Sequence, residues 1–243
     1  MRKFLFILFQ PYKWLIVFPL IVLLTILSVA VLTLVAFFSV RGSNRIGSFW
    51  AKSIQLLVFM RVKVIGRENI QKNQSYIVVA NHQSPFDIIA LYANLGIDFR
   101  WIMKKELRKV PVLGYGCEKL QHIYIDRASA RSAYRSLQEA KAKLVDGTSV
   151  AIFPEGTRTY SNNLAPFKHG AFKMALDLGL PILPVTIKDT HKIMGRSVHS
   201  LFPGNVMIVV HKPMEVQIEN REQRDEFIEQ TREVIMSGME VGN

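Results

Sequence analysis

The stretch Tyr76-Ile77-Val78-Val79-Ala80-Asn81-His82-Gln83-Ser84-Pro85-Phe86-Asp87 decides the fold. Its first five residues form a short apolar, β-branched run of strand length. Ser84, Pro85 and Asp87 then read as a helix opening, a capping box with proline at the first helical position. A strand that passes into a helix through a few polar residues belongs to an α/β fold, and α/β proteins expose ligand-binding side chains at such junctions.

The same alternation recurs on both sides of this stretch. Strands are predicted at Val62 to Ile65, Tyr76 to Ala80, Arg100 to Met103, His122 to Ile125, Ser149 to Phe153, Ile182 to Ile187 and Val206 to Val210. Helices are predicted at Pro85 to Leu95, Ser129 to Val145, Gly170 to Leu178 and Arg221 to Met236, with Gly147 and Gly179 where helix ends favour glycine. There is no internal repeat and no low-complexity tract. The composition shifts once, near residue 60, so the predicted organisation is a membrane-associating helical segment over 1–60 and an α/β catalytic domain over 61–243.

The N-terminal segment holds an uncharged run from Trp14 to Val40. As a helix it would reach roughly 40 Å, more than the ~30 Å hydrocarbon core of a bilayer requires. The run is too long for a cleaved signal, whose apolar region spans about 7 to 15 residues. Arg2, Lys3 and Lys13 precede it and Arg41, Arg45 and Lys52 follow it, so positive charge is balanced across it. Two arrangements fit: one transmembrane span, or a helical hairpin that dips into one leaflet. Ile46 to Met60 reads as an amphipathic helix that lies on the bilayer surface or packs on the core. The expected location is a cell (inner) membrane with the catalytic domain facing the cytoplasm.

Lys and Arg outnumber Asp and Glu by 31 to 19, a net charge of +12, which draws the protein to something anionic. No aromatic-rich RNA motif or recognition-helix pattern accompanies the charge, so nucleic acid is not an expected partner. The single cysteine, Cys117, excludes an intrachain disulfide. Its ordinary role is that of a small buried hydrophobe, and its chemical alternative is a covalent nucleophile. His122, His169, His191, His199 and His211 are scattered without ligand spacing, and neither a metal nor a cofactor is expected.

His82 follows the strand directly and can project into a crevice. A carboxylate at Asp87, in the first helical turn, can curl back to the imidazole, fix its tautomer and stabilise the imidazolium formed on proton abstraction. No G-x-S-x-G elbow occurs, which argues against a serine hydrolase. A second junction, Phe153-Pro154-Glu155-Gly156-Thr157-Arg158, also follows an apolar strand. Its glycine permits a sharp turn, and Arg158 offers a planar fork to phosphate. Lys104, Lys105 and Lys168 are candidates to complete an anion pocket, and Lys105 or a backbone amide is a candidate oxyanion donor.

Taken in order, these blocks resemble the glycerolipid acyltransferase family. Asn81-His82-x-Ser84-x-x-Asp87 matches its first motif and Phe153 to Arg158 its third, with Thr159 in place of the usual serine. Gln121-His122-Ile123-Tyr124-Ile125-Asp126-Arg127 resembles the second motif, with Gln121 where glycine is usual, and Leu180-Pro181-Ile182-Leu183-Pro184-Val185 the fourth, which the family places beside the acyl donor site. The resemblance implies a mixed sheet with flanking helices and His82 and Asp87 as the catalytic pair. It also implies acceptor contacts from Arg127, Glu155, Gly156, Thr157 and Arg158. The implied reaction moves a fatty acyl group from acyl-CoA or acyl carrier protein to the 2-hydroxyl of 1-acylglycerol 3-phosphate, making phosphatidic acid; the alternatives are another lysolipid or glycerol 3-phosphate as acceptor, or a non-catalytic membrane lipid-binding protein. The implied partners are a lysophospholipid acceptor, the thioester donor and membrane lipid.

Overall fold

The computed structural model describes residues 2–125 and 148–242. Helix α1 (Arg2–Tyr12) runs through a π-helical turn (Lys13–Val17) into α2 (Phe18–Ala36). Phe4–Ala36 is thus one unbroken helix of 33 residues, the one among the described residues that is long and apolar enough to cross a membrane. The chain reverses at residues 37–39, where Phe38 is 92% exposed. Ser39 then caps α3 (Val40–Leu57), its Oγ accepting the Gly42 N–H at 3.0 Å.

Helix α3 starts six residues earlier than the amphipathic pattern suggested and has two partners. It packs along α2, and it buries Ala51 and Ile54 towards the α/β core through α4 (Phe86–Asn94). Gly47 permits this approach, because a Cβ there would stand 2.5 Å from Tyr92 Oη. The hairpin of α2 and α3 is therefore fused to the core, with the apolar outer face of α2 left uncovered.

Among the described residues, seven strands form one mixed sheet: β1 (Met60–Ile65), β2 (Ile77–Ala80), β3 (Phe99–Lys104), β4 (Ile123–Ile125), β5 (Ser149–Ile152), β6 (Ile182–Lys188) and β7 (Gly204–Val210), in the order β1-β7-β6-β2-β5-β3-β4. All neighbours are parallel except β6 and β7. The period of two along β2 sends Val78 and Ala80 to an apolar layer shared with α3 and α4. Ile77 and Val79 face the opposite layer, shared with α6 (Gly170–Leu178) and α8 (Arg221–Ser237). Two short helices complete the described residues that bear on the site, α5 (Leu113–Lys119) and α7 (Thr190–Ile193).

The predicted strands all appear with ends shifted by at most two residues, and the α/β class and mixed sheet are as expected. The helix predicted at Ser129 to Val145 lies outside the described residues, as does Arg127. Gln121 has φ 59, in the left-handed region, which accounts for the glycine usual at that point of the family's second motif.

Candidate active site

Beyond Ala80, β2 is prolonged by side chains. The Asn81 amide donates to the Ile187 carbonyl at 2.8 Å and accepts the Ile187 N–H at 2.7 Å, so it stands in for a ladder residue against β6. On the other side, the His82 N–H donates to Glu155 Oε1 at 2.6 Å and the Thr159 N–H donates to the His82 carbonyl at 2.9 Å. The loop after β5 therefore clasps both backbone polar groups of His82. Asn81 and Glu155 are both buried.

The ring of His82 is equally constrained. Asp87 is completely buried, and its Oδ2 accepts His82 Nδ1–H at 2.6 Å together with the N–H groups of Gln83 and Ser84 at 2.6 and 2.8 Å. Its other oxygen, Oδ1, accepts from the Thr190 hydroxyl. An ionised Asp87 can only accept, so Nδ1 carries the proton and Nε2 presents a lone pair. Phe153 stacks flat on the imidazole, centroids 3.9 Å apart and planes within 3°, with Trp101 stacked beyond it at 5.4 Å. The capping geometry and the catalytic geometry thus coexist: Asp87 satisfies the Ser84 N–H while it holds the histidine. Ser84 Oγ instead donates to the Met194 carbonyl and accepts from the Phe86 N–H.

His82 opens into a pocket walled by Lys104, Phe153, Gly156, Thr157, Arg158 and Tyr160. Arg158 Nε donates to His82 Nε2 at 3.3 Å. Gly156 turns the loop at φ 73, and a Cβ there would stand 2.8 Å from Lys168 Nζ, which brings a second cation to this wall. A second, apolar cavity lies between the α2–α3 hairpin and the core. Its walls include Val29, Leu32, Trp50, Tyr92, Leu113 and Cys117. Ile88, Trp101, Met103 and Leu107 line both cavities, so one partition separates the polar pocket from the apolar one.

The structure thus brings His82, Asp87, Gly156, Thr157 and Arg158 together. Glu155 faces inward: its Oε2 accepts the Ala165 N–H at 2.8 Å, and burial pushes its carboxyl up to about 7 against the pull of the two N–H groups it accepts. Lys105 adjoins the pocket-lining Lys104 but is not part of the lining. The Ile182 to Val185 part of the proline motif is buried in β6 and lines neither cavity. Sequence reasoning did not single out Thr190 or the stack of Trp101 on Phe153. Thr190 lies 103 residues from its partner Asp87, Trp101 and Phe153 also come from separate segments of the sequence, and no local periodicity marks such pairs.

A family model described as Acyltransferase matches residues 61–188. The 1-acyl-sn-glycerol-3-phosphate acyltransferase of Chlamydomonas reinhardtii is 35% identical over 212 residues, 86% of this chain and 62% of that protein. The protein of the same name from Saccharomyces cerevisiae is 30% identical over 193 residues, 78% of this chain and 63% of that one. The crystal structure of the 1-acyl-sn-glycerophosphate (LPA) acyltransferase PlsC from Thermotoga maritima superposes with a TM-score of 0.80 at 28% identity, covering 98% of this chain and 96% of that chain. The chain spans between about half and three fifths of the length of the curated relatives it matches. The domain match covers more than half of the chain and includes both the His82–Asp87 loop and the Glu155–Arg158 turn, and by it this chain belongs to the acyltransferase family.

Proposed function

We propose that the protein is a membrane-bound 1-acylglycerol-3-phosphate acyltransferase, which uses acyl-CoA or acyl carrier protein to make phosphatidic acid. The observation that carries this reading is the pairing of His82 Nδ1 with the buried Asp87 at 2.6 Å, which leaves Nε2 as a base facing a pocket with Arg158 on its wall. In this reading Arg158 and Lys168 hold the acceptor's phosphate, and His82 Nε2 takes the proton from the acceptor hydroxyl. The hydroxyl oxygen attacks the thioester carbonyl, and the tetrahedral adduct expels the carrier thiolate, which recovers the proton from the imidazolium. Glu155 supports this chemistry from behind, by fixing the His82 backbone rather than by touching the acceptor.

The apolar cavity across the Ile88–Trp101–Met103–Leu107 partition suits a fatty acyl chain, since it is walled by hydrocarbon and adjoins the base. Its far wall is α2, the helix assigned here to the membrane, so a lipid substrate need not cross water to reach it. The proposed location is a cell membrane with the α/β core on the cytoplasmic side. The domain organisation that fits is residues 1–60 for attachment and 61–243 for catalysis, joined through the packing of α3 on α4.

Purified protein in lipid or detergent should be given lysophosphatidic acid and a long-chain acyl-CoA. Acceptor-dependent thiol release matched by phosphatidic acid is expected, reduced about 10²- to 10⁴-fold in His82→Ala. Thiol release indifferent to the acceptor would make the protein a thioesterase instead, and binding without turnover would make it a lipid-binding protein.

A further inference from the structure

The family motifs end at the first carboxylate oxygen of the catalytic pair, whereas the structure continues past it. Asp87 is fully buried, and its two oxygens have different environments. Three donors converge on Oδ2, the His82 ring and the Gln83 and Ser84 amides. Oδ1 has the Thr190 hydroxyl. A carboxylate anchored through one oxygen can still pivot about that oxygen by coupled changes in χ1 and χ2, and the direction of its grip on Nδ1 changes with it. A donor on the second oxygen removes that freedom.

Thr190 is well placed for this because its own backbone is fixed. Strand β6 ends at Lys188, and Asp189 turns the chain at φ 73, so that α7 begins with Thr190 facing Asp87. The same stretch of β6 is registered on the catalytic loop by the two Asn81–Ile187 hydrogen bonds. Gln83 closes the frame. Its side-chain carbonyl accepts from His191 Nδ1 at 3.2 Å, and its amide donates to Asn162 Oδ1 at 2.9 Å. Asn162 in turn donates to Asp189 Oδ1 at 3.2 Å, and Asp189 pairs with Lys192 at 2.9 Å. Thr190 is itself completely buried and lines neither cavity, so it cannot touch substrate.

We propose that Thr190 is a positioning residue of the active site: its hydroxyl locks the plane of the Asp87 carboxylate and, through it, the orientation of the His82 base. This rests on the acyltransferase reading for its kinetic consequences and on geometry alone for its structural ones. The position calls for a hydroxyl, so serine replaces threonine and valine, of the same shape, does not.

The test compares Thr190→Val and Thr190→Ser with the wild type in the acyl-CoA and lysophosphatidic acid assay. Thr190→Val should lose about 10- to 100-fold in kcat with the KM for both substrates nearly unchanged, and Thr190→Ser should keep most of kcat. In an Asp87→Asn background, Thr190→Val should cost nothing further. A wild-type kcat in Thr190→Val, equal losses in the valine and serine variants, or a full additional loss in the double variant would each overturn the proposal. If Thr190→Val does not accumulate as folded protein, Thr190→Ala takes its place under the same expectations, since it differs from Thr190→Ser by the hydroxyl alone. The downfield proton resonance of His82 Nδ1–H gives a reading independent of turnover, shifted in the valine variant and retained in the serine variant. A wild type that transfers no acyl group would sink the acyltransferase reading and leave this resonance to decide on Thr190; an unshifted resonance in Thr190→Val would sink the positioning role.

Discussion

Arg158 Nε donates to His82 Nε2 at 3.3 Å, so the cation best placed to bind a phosphate also covers the lone pair of the proposed base. The two tasks compete for the Nε–H of one guanidinium. On the proposed reading, a phosphate that draws the guanidinium away uncovers Nε2 for the acceptor hydroxyl, while without acceptor the base stays covered and water is not activated against the thioester. Arg158→Ala should therefore raise thiol release from acyl-CoA in the absence of acceptor severalfold, while raising the acceptor KM by about 10- to 100-fold. Acceptor-independent release equal to or below that of the wild type would remove the covering role from Arg158 and leave it phosphate binding alone.

Glu155 makes the fold sensitive to pH. Burial raises its carboxyl from an ordinary value of 4.5 to about 7, so between these values the folded protein holds a proton that the unfolded chain releases. The stability this confers is complete below 4.5 and is lost as pH rises through 7. Glu155→Gln cannot ionise and escapes that loss, although it gives up one of the two N–H bonds that Glu155 accepts. The Tm of the variant minus that of the wild type should therefore climb from about pH 5 to about pH 8, and a flat difference would contradict this.

Cys117 belongs to the apolar cavity and not to the pocket of His82. Burial pushes its thiol up to about 11, despite a hydrogen bond with Tyr124 that pulls the other way, so it is not a thiolate near neutrality. Cys117→Ser should transfer acyl groups at close to the wild-type rate, with no acyl-enzyme trapped on mass spectrometry. Cys117→Phe should instead lower turnover of long acyl-CoA more than that of short acyl-CoA. An unchanged chain-length profile would place the acyl group elsewhere.

Asn81 is a structural joint whose two polar atoms have opposite duties. Asn81→Asp keeps the shape but sets a carboxylate oxygen against the Ile187 carbonyl in place of a donor, in a fully buried position. The expected cost is about 2 kcal/mol or more, seen as a Tm lower by roughly 5 °C or more. A Tm within a degree or so of the wild type would mean that the loop is registered by other contacts.

The sequence was most legible where a short segment carries its own signal. The β-branched run before Asn81 and the apolar run before Phe153 predict strands that the fold contains, and the spacing of His82 and Asp87 predicts a hydrogen bond that is present. Arg158 was readable as a pocket cation because a guanidinium after a glycine turn has few other uses. The role of Glu155 was not readable. Its type and position suit an acceptor ligand equally well, and only the fold shows that both oxygens are taken by backbone N–H groups. A helical hairpin was one of two arrangements the charges allowed, but the place of the reversal at residues 37–39 was hidden, because it has no glycine or proline and falls inside the uncharged run; Ser39, three residues before Gly42, was its one available sign. Thr190 belongs to the same class of silent residue, its function fixed by a neighbour in another part of the chain.

The order of strands in the sheet also has a consequence for biogenesis. Strand β2, which carries His82, lies between β5 and β6, and β1 waits for β7. The membrane helix and the first two strands thus leave the ribosome well before the strands that flank them. At about 5 to 20 residues per second, the roughly 100 residues from β2 to β6 take on the order of 5 to 20 s. Throughout that interval Ile77–Ala80 lacks at least one of its two lateral partners, while the N-terminal apolar helix is already complete. On the membrane-bound reading proposed above, the nascent protein is tethered at the bilayer before the strands around His82 can pair, and its period of greatest exposure to misassembly is spent at the membrane surface.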